Sequence, residues 1–287
     1  MMAQGMFGVV DVVDVHGARQ LRINGQVQGA SFLDPPSEHG GPGVVSASPY
    51  TAGWLAAAAM NPNGRGLMVG LGSGAGAVAV LANFPGVCID VIEIDPVAVH
   101  LCKQGFPEVN AAIESGRLRV FTADALAMIP LIAGSPRDRY PYDFILHDAY
   151  DGKSLITGDQ VAFFKSCAAI TRNIWINIIG RPNIDPMKTM LQDLVAAGVT
   201  PRSLLFADFT LLHPFDTNTA GNHNWIVSTQ ETDPGTLDAF VPYADLEGDT
   251  PEAKRNLHGV RVLWERVLLT EINGSDLDGY IAGLDAQ

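Results

Sequence analysis

GLMVGLGSGAGAVAVLANF (66–84) decides how this chain folds. A short apolar run, Gly66 to Val69, leads into a loop in which Gly70, Gly72, Gly74 and Gly76 recur at alternate positions. A run of Ala and Val follows. The first run reads as a buried strand and the second as a small-residue helix. Only glycine lets another group approach the backbone closely, and a helix start offers free N–H groups. The stretch therefore reads as the strand, loop and helix that open a nucleoside-binding sheet.

The same alternation continues outward in both directions. Downstream, VCIDVIEID, RLRVFTAD, YDFILHDA and NIWINIIG read as strands. Helical runs PVAVHLCKQGF, ALAMIPLIA, DQVAFFKSCAAI and DPMKTMLQDLVAAG are interleaved with them or follow them. SLLFADFTLLHP and NHNWIVSTQ close the series with no helix between, so they should pair antiparallel. Upstream, SPYTAGWLAAAAM reads as a helix, with Ser48 as N-cap and Pro49 in its first turn. Before it, GVVDVVDVHGARQLRINGQVQGAS alternates between turn signals and reads as two or three antiparallel strands. The tail TPEAKRNLHGVRVLWERVLLTEI carries Leu257, Val260, Trp264, Val267 and Leu268 at helical spacing. The expected architecture is α/β: a Rossmann-like, mostly parallel seven-stranded sheet over 49–240. An antiparallel β domain and linker precede it over 1–48, and a helical tail follows over 241–287.

Composition narrows the function. The 287 residues are 47% hydrophobic with a net charge of −13, enough for one sizeable core. No Lys/Arg cluster suits phosphate contacts, so nucleic acid is not an expected partner. No apolar run reaches membrane-spanning length, and the N-terminus lacks the basic region of a signal peptide. Cys88, Cys102 and Cys167 fall in apolar segments and read as buried free thiols. A soluble cytoplasmic protein is the expectation.

Two sets of residues carry chemistry. Glu93, in VIEID, lies about 20 residues beyond the glycine loop, where an acid hydrogen-bonds ribose hydroxyls. Asp124, followed by the small Ala125, ends the third strand and suits an adenine amino group. In FILHDAYDG (144–152) an apolar strand ends in His147, Asp148, Tyr150 and Asp151. Paired carboxylates there can take a proton from an amine and attract a cationic substrate. The plainer reading is a strand-end cap at Asp148 and a turn at Asp151–Gly152. Alternation puts His147 on the opposite face from Asp148, as a core histidine with its hydrogen bonds satisfied. Tyr150 could wall an acceptor pocket. His213, Asp216 and His223 fit no metal spacing, and no metal is expected. Trp54 and Trp175 read as core.

Together these motifs resemble the spermidine synthase (aminopropyltransferase) group of the class I S-adenosylmethionine-dependent transferases, over roughly residues 9–180. GARQLRINGQVQ is similar to the family's N-terminal hairpin, whose Gln, here Gln28, reaches the adenosyl group; Asn24 replaces the usual Asp. PYTAGWL is similar to the helix whose tyrosine, here Tyr50, lines the acceptor pocket. GLGSGAG, VIEID and TADA are similar to the nucleoside site, which implies roles for Gly70, Gly72, Ser73, Gly74, Glu93, Ile94, Asp124 and Ala125. HDAYDG resembles the family's Asp-x-x-Asp. The resemblance makes Asp148 the proton acceptor and Asp151 a holder of the cationic acceptor. It implies S-adenosylmethionine or its decarboxylated form as co-substrate, a small amine acceptor and a homodimer or homotetramer.

Three departures bear on specificity. Ser73 stands where the family carries an acid for the donor's free amine. Thr51 replaces the Gln after the pocket tyrosine, and Lys153 lies where a cationic acceptor would pass. Ser73 favours an intact donor, and with it methyl or aminocarboxypropyl transfer. Gly70-x-Gly72-x-x-Ala75 also fits a dinucleotide fingerprint, so a nicotinamide-dependent oxidoreductase stays as the alternative of another class, beside an inactive nucleoside-binding relative. The late position of the loop and the lack of a Tyr-x-x-x-Lys pair count against the oxidoreductase.

Overall fold

The computed structural model describes residues 1–15, 17–33, 51–135, 141–149, 159–179, 185–201, 203–208, 223–229 and 270–271. The first four strands are β1 (Met2–Gln4), β2 (Val9–Val15), β3 (Ala18–Ile23) and β4 (Gln26–Phe32), and they form an antiparallel sheet in chain order. Asn24 and Gly25 both adopt positive φ, 51° and 81°. That is the turn geometry matching the right-handed twist of a two-residue hairpin. Asn24 also accepts from Val9 N–H and donates to the Phe7 carbonyl, tying the hairpin to the turn before β2.

The main sheet follows from the β–α alternation. α1 (Thr51–Ala59) precedes β5 (Arg65–Val69), α2 (Ala75–Asn83), β6 (Cys88–Glu93), α3 (Pro96–Gly105), α4 (Pro107–Glu114), β7 (Leu118–Thr122) and α5 (Ala125–Ala133). Then come β8 (Phe144–His147), α6 (Gln160–Ile170), β9 (Ile174–Ile179), α7 (Asp185–Ala196), β10 (Ser203–Asp208), β11 (His223–Ser228) and β12 (Thr270–Glu271). The order across the sheet is β12-β10-β11-β9-β8-β5-β6-β7. β5 to β9 run parallel, while β11 pairs antiparallel with β9 and β10. β10 and β11 are thus antiparallel to each other, as expected from the sequence.

Alternation along the strands feeds two cores. Met68, Ile89, Val91, Phe144, Leu146 and Trp175 pack with α1 to α4 on one face. Leu67, Val69, Ile92, Ile145, Ile174 and Ile176 pack with α5 to α7 on the other. Val10, Val12 and Leu21 join the first core, so the N-terminal sheet docks on that side. Trp54 and Trp175 are fully buried, as read.

Five details differ from the sequence reading. The main sheet has eight strands where seven were expected, β12 being the extra one. β1 is a further N-terminal strand. α4 is a separate helix, opened by Pro107 with Glu108 in its first turn. Thr270–Glu271 pairs with Ser203–Leu204 instead of continuing a helix, since an edge strand leaves backbone groups to pair; the rest of the tail lies outside the described residues. Cys88 is exposed, because it opens β6 at the sheet's rim, whereas Cys102 and Cys167 are buried. Among the described residues no helix is long and apolar enough to cross a membrane.

Candidate active site

The strand order reverses between β5 and β8. From β5 the chain builds outward through β6 to β7; from β8 it builds the other way through β9. Ligands bind such sheets outside the carboxyl ends of the strands at this switch point. Every described acid of the sequence reading lies there. Asp148 follows β8, the glycine loop follows β5, Glu93 ends β6 and Asp124 lies beyond β7. Four neighbouring strands place them across about 14 Å, three inter-strand spacings, which matches an extended nucleoside with a short tail.

The glycine loop is fitted between its neighbours. Gly70 has φ 92°, and a Cβ on it would sit 2.8 Å from the Asp148 carbonyl oxygen. Gly72 has φ 54°, and its Cβ would meet the Gln28 carbonyl. Any larger residue at either position would push the loop off β8 or β4. Gly74 takes the N-cap of α2. Ser73 is buried, and its Oγ accepts from Ala75 N–H at 3.3 Å. A Cβ added to Gly29 would lie 2.5 Å from that Oγ. β4 therefore lies directly against the loop. The Gln28 side chain is half-buried, and its Nε2 donates to the Gln26 carbonyl at 3.4 Å.

Glu93 accepts from Leu71 N–H at 2.8 Å and Asp95 N–H at 2.9 Å. Burial pushes its carboxyl above the usual range, and those two backbone donors pull it back. A carboxylate has about four acceptor positions, so it can still take ribose hydroxyls. Asp95 caps α3 through Val97 N–H at 2.8 Å, and its other oxygen accepts from Met6 N–H at 2.8 Å. Ile94, just beyond β6, and Ala125, which opens α5, are half-buried. Asp124 is exposed and caps α5, its Oδ1 accepting from Leu126 N–H at 2.9 Å. It thus serves as a helix cap.

Asp148 is half-buried at the end of β8, its N–H bonded to the Val69 carbonyl at 2.8 Å. Asn177 Nδ2 donates to its Oδ1 at 2.7 Å. Sequence reasoning missed Asn177; the available signal was the one amide inside the apolar run IWINII (174–179). His147 lies in the opposite core against Phe163 and Phe164, as alternation requires. It is not fully satisfied, since Nδ1 has no partner among the described residues. Burial lowers its pKa to about 4. Tyr50, Tyr150, Asp151, Lys153, His213 and Asp216 lie outside the described residues, and His223 is described only as backbone opening β11.

The chain has the class I S-adenosylmethionine-dependent transferase fold of solved spermidine synthases. It superposes over 100% of its length on 95% of a probable spermidine synthase from Corynebacterium glutamicum, at TM-score 0.65 and 16% identity. In sequence it is 35% identical over 95 residues to a polyamine aminopropyltransferase of Agathobacter rectalis, covering 32% of this chain and 31% of that enzyme. It is 39% identical over 82 residues to human eEF1A lysine and N-terminal methyltransferase, covering 29% of this chain and 11% of that protein. The chain thus spans under a third of the length of these two curated relatives. No family model matches the chain.

Proposed function

We propose that this protein transfers an alkyl group from an S-adenosylmethionine-type sulfonium to a small amine, with a polyamine as acceptor and aminopropyl as the transferred group. The observation that carries this is the row of carboxylates along the switch point, with the Asp148 backbone packed against Gly70 and Glu93 hydrogen-bonded to Leu71 of the same loop. Glu93 holds the ribose hydroxyls, Gln28 meets the adenosyl group and Asp124 with Ala125 receives adenine. Ile94 packs on the base. The amine nitrogen attacks the carbon bonded to sulfur; the C–N bond forms as the C–S bond breaks, and neutral methylthioadenosine leaves. Asp148 takes the proton that the new ammonium releases. The sulfonium is already an activated leaving group, so holding the two reactants in line supplies much of the remaining rate. Tyr50 and Asp151 complete the acceptor pocket, and the net charge of −13 favours cationic substrates. A cytoplasmic homodimer or homotetramer is part of the same reading, and light scattering on the purified protein checks the assembly.

Ser73 supports a second reading. It offers no carboxylate to pair with a donor amine, and its hydroxyl is turned to Ala75 N–H beneath Gly29. An intact donor, carrying its own carboxylate, suits that loop better. The deciding assay supplies intact or decarboxylated S-adenosylmethionine with a panel of di- and polyamines and identifies products by mass spectrometry. Methylthioadenosine from the decarboxylated donor supports aminopropyl transfer. From intact donor alone, methylthioadenosine means aminocarboxypropyl transfer and S-adenosylhomocysteine means methyl transfer. No product with any donor overturns the reading.

A further inference from the structure

Asn177 is an expensive residue where it stands. It is 2% exposed in the middle of β9, between Ile176 and Ile178, in a strand otherwise built of apolar side chains. Asparagine is disfavoured in strands. Its Oδ1 is buried with no partner among the described residues. Only Nδ2 is used, donating to Asp148 Oδ1. A buried amide with half its capacity unmet costs stability, and an apolar side chain of the same shape would avoid that cost. Residues that break the local rules of a strand with no return in stability mark functional sites.

The return is visible in the register. His147 on β8 pairs with Ile176 on β9, so Asp148 and Asn177 are the next residues along and stand level. Alternation puts both on the face that carries Leu146 and Trp175, the face covered by α1 and α2. An aspartate's terminal torsion is broad, so without a partner its two oxygens exchange places readily. The amide restrains that torsion by holding Oδ1. Exchanging the amide's own nitrogen and oxygen would set two acceptors 2.7 Å apart, so the orientation seen is the one an ionised carboxylate demands. A neutral donor can do this without the cost an arginine would bring, because it orients the base without cancelling its charge.

We infer that Asn177 is a positioning residue, whose amide hydrogen bond holds Oδ1 of the Asp148 carboxylate for its part in the transfer. This rests on Asp148 being the proton acceptor of the proposed transfer. The pairing is tested directly by following the Asp148 side-chain carboxyl by carbon-13 NMR across pH, its signal assigned by its loss in Asp148→Asn. In Asn177→Leu, which removes both the donor and the orphaned oxygen, the Asp148 titration should move up by about one pH unit. The acidic limb of kcat should move with it, and kcat should fall about tenfold to a hundredfold. Donor Kd should stay within about twofold, and the fold should be as stable as before or more so. Asn177→Thr carries the same test if the leucine variant does not fold. An unchanged Asp148 titration in a folded variant overturns the inference, as does unchanged kcat in an active enzyme. If the wild-type protein gives no product with any sulfonium donor, the transfer reading fails. The NMR titration still decides whether Asn177 sets the state of Asp148.

Discussion

Asp90 and Glu93 lie three residues apart on the same strand, and the molecule treats them in opposite ways. Asp90 faces the amino-terminal half of the sheet. It is closed off by Arg65 at 2.7 Å, Arg119 at 2.6 Å and the Tyr142 hydroxyl at 2.9 Å. Charge there is met by charge. Glu93, at the carboxyl end, is met by backbone N–H groups, which hold it without neutralising it. The difference separates a carboxylate closed off by cations from one held only by backbone dipoles among the described contacts, as the role proposed for Glu93 requires. The first has its charge cancelled by cations; the second is held by neutral dipoles, so its negative charge remains for a ligand.

That contrast can be broken by substitution, and Asp148 gives the largest effect. Asp148→Asn should reduce kcat by about 10²- to 10⁴-fold, the usual worth of a general base, while donor affinity stays within about twofold. Product formation and calorimetric binding on one preparation read both, and a parallel loss of binding would make Asp148 structural. Asp90 should behave in the reverse sense. Asp90→Ala removes the shared partner of two half-exposed guanidinium groups and leaves the buried Tyr142 hydroxyl unpaired. It should cost about 1.5–3 kcal/mol in urea unfolding, with kcat per folded molecule preserved. Lost activity in a folded Asp90→Ala protein would erase the distinction between the two ends.

His147 sharpens the comparison from the opposite core. Its pKa is about 4 in the folded protein against an ordinary 6.5, so below pH 6.5 the unfolded chain binds the proton that the folded chain refuses. Stability therefore falls as pH drops from about 6.5 to 4, by roughly 3 kcal/mol over the window. His147→Leu should flatten that loss in urea titrations at pH 7, 5.5 and 4.5. An identical acid slope in the variant would place the proton elsewhere. Glu93→Ala should weaken nucleoside binding by about 1.5–3 kcal/mol, as for a hydrogen bond to a charged group. Normal affinity in that variant would remove Glu93 from the ribose.

The sequence made the main sheet legible because strands buried on both faces read as apolar runs, and each was followed by a helical one. The site acids were legible for the same reason: Glu93, Asp124 and Asp148 each interrupt or end such a run. Pairings that depend on tertiary neighbours were not. Asn177 lies on a different strand from Asp148, and their contact follows from the order β8-β9. Cys88 looked buried because it sits among apolar residues, yet it stands at the rim of its strand. The orphaned Nδ1 of His147 was equally hidden, since strand alternation fixes the face of a side chain and not its partners. α4 carried readable signals, Pro107, Glu108 and Gly116, but follows α3 so closely that the two merge in a periodicity reading.

The hydrogen bonds from Met6 N–H to Asp95, from Asp95 N–H to Glu93, and from Leu71 N–H to Glu93 form an unbroken relay. It runs from the first turn of the chain to the glycine loop. Two events at opposite ends of such a relay share one coupling free energy, and it acts equally in both directions. A ligand that gains affinity because the N-terminal sheet is seated must, by the same amount, hold that sheet in its seat. Where the donor of the proposed transfer makes that link, its addition should slow amide exchange at Met6, and unchanged exchange would show that the link is not used.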